Sequence, residues 1–78
     1  MLHRQLQNAL EEIFGEKFVT AALKDSKTAH DVLRGRPNEF KQVILKFGKL
    51  NYREEQTGYI EKLDDDLKIA LICSLLHN

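Results

Sequence analysis

Apolar residues recur along this chain at helical spacing, in short bursts separated by glycines and polar pairs. In the first burst they fall at Leu2, Leu6, Ala9, Leu10, Ile13 and Phe14. That is one stripe on a helix from Leu2 to Phe14, and Gly15 is suited to cap its C-terminus. A second short helix is expected over Glu16–Lys24, carrying Phe18, Val19, Ala21, Ala22 and Leu23. Asp25 or Ser26 would end it and offer a side-chain oxygen to the free N–H groups of the next helix. This third helix would run to Arg34, burying Ala29, Val32 and Leu33, with Gly35 as its stop.

Pro37 suits the first position of a helix, where its missing N–H leaves nothing unpaired. Phe40, Val43, Ile44 and Phe47 follow at i, i+3, i+4 and i+7, the cleanest amphipathic pattern in the chain. Lys41 and Lys46 flank its polar side, and Gly48 closes it. Between Leu50 and Ile60 the pattern fades. An irregular connection or a short helix at Arg53–Gln56 fits there, and a small hairpin pairing Val43–Leu45 with Tyr59–Glu61 is the alternative. Asp64, Asp65 and Asp66 then precede the last apolar run, where acidic groups cap a helix start and meet its positive dipole end. Eight of the ten residues from Leu67 to Leu76 are apolar. At 100° per residue they cover the whole circumference, so such a helix has to be buried on every side. The pattern therefore predicts one all-α domain over residues 1–78, a compact bundle of four or five short helices with a buried hydrophobic C-terminal helix.

Size sharpens this expectation. A core built from 78 residues supplies only about 3–5 kcal/mol of net stability, and Cys73 is the only cysteine, so no internal disulfide can add to it. Docking onto another molecule is the remaining way to bury more area, and a symmetric homodimer sharing the C-terminal helix is the expected form. A lone thiol, a start without a basic-then-apolar leader, and an apolar run half as long as a membrane span point to the cytoplasm and away from the membrane.

Net charge is zero, but it is divided unevenly. Residues 1–53 hold ten Lys/Arg against six Asp/Glu, and residues 54–78 hold two against six. The basic surplus is concentrated in Arg34, Arg36, Lys41, Lys46, Lys49 and Arg53, opposed locally only by Glu39. With Tyr52 available for stacking, this 34–53 segment could meet phosphates. A helix, a turn at Gly35 and a second helix share the outline of a helix-turn-helix. Arg36 and Pro37 occupy that turn, however, and Lys41 lies where that motif buries an apolar residue. A neutral domain also attracts a polyanion weakly. The segment therefore reads as a positive face for an acidic protein surface, either a target's or the Glu54–Asp66 stretch of a second copy; a solvated face or internal partners for the acidic C-terminal third is the plainer account, and nucleic-acid binding is the alternative.

Catalytic chemistry finds little support. Cys73 and His77 share a helix face at i, i+4, but no third group accompanies them, and a buried cysteine beside a C-terminal histidine explains both. His30 and Asp31 are sequence neighbours and point about 100° apart on a helix. Glu11-Glu12, Glu54-Glu55 and Asp64-Asp65-Asp66 lack the alternating spacing and turn glycine of a calcium loop. No phosphate-cradling glycine loop and no serine elbow occur. The expectation is a non-enzymatic protein-interaction module without cofactor or metal, a small regulator, inhibitor or adaptor. Its alternative is a nucleic-acid-binding regulator working through the 34–53 segment.

Overall fold

Six helices form among the described residues: α1 (Leu2–Phe14), α2 (Glu16–Lys24), α3 (Lys27–Gly35), α4 (Pro37–Gly48), α5 (Arg53–Glu61) and α6 (Asp65–Leu76). The structure, a computed structural model, describes residues 2–24 and 26–76. The cap expected from Asp25 and the pairing of His77 with Cys73 lie outside these residues.

α6 occupies the centre. It packs against α1, α2, α3 and α4, and α5 is attached mainly through α1. Leu67, Ala70, Leu71, Ile72 and Cys73 are buried in it. Around them lie Leu10 and Phe14 of α1, Val19 and Ala22 of α2, Ala29 and Val32 of α3, Phe40 and Val43 of α4, and Ile60 of α5. These side chains make one continuous core. Each fully buried Leu or Ile contributes roughly 1.5–3 kcal/mol, so Leu67, Leu71 and Ile72 anchor the bundle. Phe14 and Phe47 close one side, with ring centroids 6.0 Å apart. The radius of gyration is 11.6 Å, against about 11.5 Å expected for a folded body of this length. A homodimer is the expectation for an α6 too apolar for one short chain to wrap. Within this one chain four helices pack against α6, leaving Ile69, Leu75 and Leu76 half-buried.

Local chemistry explains most helix ends. Gly15 joins α1 to α2 at φ 101°, a left-handed conformation that only glycine takes without strain. Its N–H donates to the carbonyl of Glu11 and its own carbonyl accepts from Val19. Ser26 precedes α3 but makes no side-chain cap; its carbonyl accepts the His30 N–H. A single residue, Arg36, links α3 to α4, its N–H donating to Val32 and its carbonyl accepting from Phe40. Pro37 takes the first turn of α4 as expected. At the start of α6, Asp64 Oδ1 accepts the Leu67 N–H at 2.9 Å, the cap that the aspartate run implied.

The helix count exceeds the expected four or five because of α5. The 50–60 stretch is neither irregular nor limited to a helix at Arg53–Gln56; it is helical from Arg53 to Glu61, and Val43 and Tyr59 both sit in helices rather than in a hairpin. Its pattern was faint because only Ile60 is buried and Gly58 interrupts it. Local bonds assist instead. Thr57 Oγ1 donates to the Arg53 carbonyl and Gln56 Nε2 to the Leu50 carbonyl, while Glu54 and Glu55 sit in the first turn, where the helix dipole favours them.

Gly58 is helical, exposed, and has nothing within 4 Å of where a Cβ would sit. Gly58→Ala should therefore stabilise the domain by about 0.5–1 kcal/mol, by reducing unfolded-chain entropy. Chemical denaturation of the two proteins measures it, and an unchanged or lowered midpoint contradicts the placement of Gly58 inside a helix.

Candidate protein-docking face

The basic 34–53 segment divides in the folded chain. Arg36 is engaged at the surface by the bundle's own acids. Its Nε donates to Glu39 Oε1 at 2.7 Å and its Nη2 to Asp64 Oδ2 at 2.7 Å, tying the α3–α4 turn to the start of α6. These bonds raise the Arg36 pKa above its already high value. They also hold both carboxyls below the usual range; for Asp64 the Leu67 N–H adds to the effect. Arg53 pairs with Glu12 and so fastens α5 to α1. The Lys46 ammonium lies 5.4 Å from the centroid of the Tyr59 ring, and partial burial raises the Tyr59 hydroxyl pKa. Tyr52 is 71% exposed just before α5.

That leaves Arg34, Lys41 and Lys49, which are exposed and make no ion pair among the described residues. Arg34 lies in the last turn of α3, Lys41 in the second turn of α4 and Lys49 just past its end. The reading of the segment as partners for the acidic third is met by Arg36, which holds Asp64; the Arg53 partner comes from α1 instead.

Beside Arg34 and Lys41 runs an open groove of about 530 Å³ between α3 and α4, floored by α6. Ala29, Phe40, Ala70 and Cys73 form its apolar floor, and Ser26, His30, Leu33, Ile44 and Ser74 its edges. Leu33 is 49% exposed and Ile44 38%. Both were expected in the core. Val32 and Ala29 of α3, and Phe40 and Val43 of α4, take the inward positions, which leaves Leu33 and Ile44 one residue past the buried stripe on the groove side. Lys41 precedes Ile44 by three residues, so the two are neighbours on the surface of α4. On the α3 side, a second hollow shares His30 and Leu33 with the groove and is lined further by Lys27, Asp31 and Arg34. The sequence pattern identified the cations of this face but not its apolar row, because a leucine or isoleucine at helical spacing reads as core.

Chemistry of other kinds is thinly represented. Cys73 is buried, with Sγ 3.6 Å from the Ala22 carbonyl, to which its S–H can donate weakly. His30 is exposed. Asp64, Asp65 and Asp66 line a shallow hollow with Arg36, whose guanidinium already neutralises Asp64. No group of three His, Cys, Asp or Glu comes together as a metal site, and no buried side-chain N or O lacks a hydrogen-bond partner, among the described residues. None of the described helices is long and apolar enough to cross a membrane. No family model, curated protein or solved structure matches the chain.

The Arg36 clamp makes acid behaviour specific. Glu39 and Asp64 titrate lower in the folded chain than their ordinary 4.5 and 3.8. The folded state thus binds fewer protons, and the clamp's contribution is complete above those values and is lost as pH falls through the lowered ones. Arg36→Gln should melt earlier than the wild type at about pH 7, with the gap closing as pH drops below about 4. Thermal melts across that range test it; a gap that persists unchanged in acid would show that Arg36 acts through packing alone.

Proposed function

We propose that this chain is a non-enzymatic protein-interaction module that docks on a protein target through the α3–α4 face, acting as a small regulator, inhibitor or adaptor. One observation carries the reading: an apolar groove with half-exposed Leu33 and Ile44 on its edges lies beside Arg34 and Lys41, which make no ion pair among the described residues. A contiguous apolar patch next to charge is the ordinary composition of a docking surface. A catalytic reading would need titrating groups perturbed within a cleft. The shifted carboxyls here, Glu39 and Asp64, face Arg36 on the surface rather than the groove. A single, buried thiol supports a reducing compartment such as the cytoplasm.

The nucleic-acid alternative draws on Tyr52, exposed beside Lys49 and Arg53. Arg53 is engaged with Glu12 and Lys46 with Tyr59, so fewer cations stand ready for a backbone than the sequence count suggested. Arg34→Glu with Lys41→Glu should leave the fold intact, since both residues are exposed. The double variant should lose the protein that wild type retains in a pull-down, most clearly in low-salt washes. In parallel, random duplex and single-stranded oligonucleotides are titrated at physiological salt. Micromolar oligonucleotide binding abolished by the same reversals would replace the protein-docking reading with a nucleic-acid one.

A further inference from the structure

We infer that the α3–α4 groove receives a short amphipathic helix from the partner, with three apolar anchors on one stripe and acidic residues on either side of it. The inference rests on the protein-docking reading and specifies what is docked.

Dimensions come first. On α3 the groove is lined from Ser26 to Leu33, seven residue steps, or about 10 Å at 1.5 Å per residue. Two turns of a helix match that length, and anchors at i, i+3 or i+4, and i+7 span it. The floor suits such anchors, since Ala29, Ala70 and Cys73 are small and open space between the larger Phe40, Leu33 and Ile44. A groove open along one side, between two helices joined by the single residue Arg36, admits a rod rather than enclosing a compact molecule. Among the described residues no Lys, Arg, Asp or Glu lines the groove itself.

Charge then selects the partner's sign. Arg34 fringes the α3 edge, in the hollow that shares His30 and Leu33 with the groove, and Lys41 fringes the α4 edge beside Ile44. Asp31 is the acidic residue lining that same hollow, and Glu39 is held by Arg36. With cations at both edges, carboxylates flanking the stripe of an incoming helix meet complementary charge on each side. The same fringe opposes a second copy as occupant. A two-fold pairing presents identical patches to one another, which would bring Arg34 and Lys41 towards their own equivalents.

Two synthetic helical peptides of about 14 residues test this. Both carry leucine at i, i+4 and i+7; one has glutamates flanking the stripe and the other lysines at the same places. Fluorescence anisotropy should show micromolar binding of the glutamate peptide to the wild type, weakening at high salt, and at least about tenfold weaker binding of the lysine peptide. Ile44→Glu should abolish binding of the glutamate peptide, with circular dichroism confirming that the variant folds. Arg34→Glu with Lys41→Glu should reverse the preference, so that the lysine peptide binds more tightly. The inference is overturned by the absence of binding of either peptide, by equal affinity for both, or by binding that Ile44→Glu leaves unchanged. A dimer of the free protein that Ile44→Glu dissociates would make a second copy the occupant and equally overturn it. These failures differ from failure of the docking reading, which the oligonucleotide titration decides without any peptide.

Discussion

An α-helix with apolar residues on every side cannot face water along any stripe, and in a chain of this length the other helices must be short enough to gather around it. That constraint arranges the molecule. α1 to α4 pack against α6 from successive directions, and their buried residues are those that meet Leu67, Ala70, Leu71, Ile72 and Cys73. The links are correspondingly tight: Gly15 alone turns α1 into α2, and Arg36 alone turns α3 into α4. Electrostatics then fixes ends rather than supplying the core. Arg36 joins the α3–α4 turn to the cap of α6, and Arg53 joins α5 to α1, while surface pairs of this kind are weak sources of stability.

The groove follows from the same constraint. Two short rods lying on a third leave a furrow between them unless bulky side chains fill it. Here Ala29, Ala70 and Cys73 on the floor are small, and Leu33 and Ile44 stand at the edges. The apolar surface left there is thus a by-product of how α6 is covered. Its functional reading depends on Arg34 and Lys41 beside it, exposed and without an ion pair among the described residues, because those give a partner both a sign and an orientation.

Sequence patterning revealed the helices wherever one face was strongly apolar. α1, α2, α3, α4 and α6 were legible to within a residue or two at their ends, and so was the capping by Asp64, because each depends on local spacing and local hydrogen bonds. α5 was obscure for a physical reason: it is held by one buried residue, Ile60, and by tertiary contact with α1, neither of which produces a periodic stripe. The candidate site was legible only in its charges. Which cations would be consumed depended on distant partners, Asp64 for Arg36 and Glu12 for Arg53, and which apolar residues would remain exposed depended on how α3 and α4 pack against α6. Neither is written in the spacing of residues along one helix.

Native-state hydrogen exchange, measured at two protein concentrations about a hundredfold apart, tests the central role of α6 most directly. Amides that open only on global unfolding exchange most slowly. The account predicts that those of Leu71, Ile72 and Cys73 are the slowest in the protein, with protection independent of concentration. Protection of α6 that rises with concentration would contradict it and show that a second copy helps cover the apolar centre, and exchange there as fast as in α5 would contradict it by showing that α6 is not the most stable element.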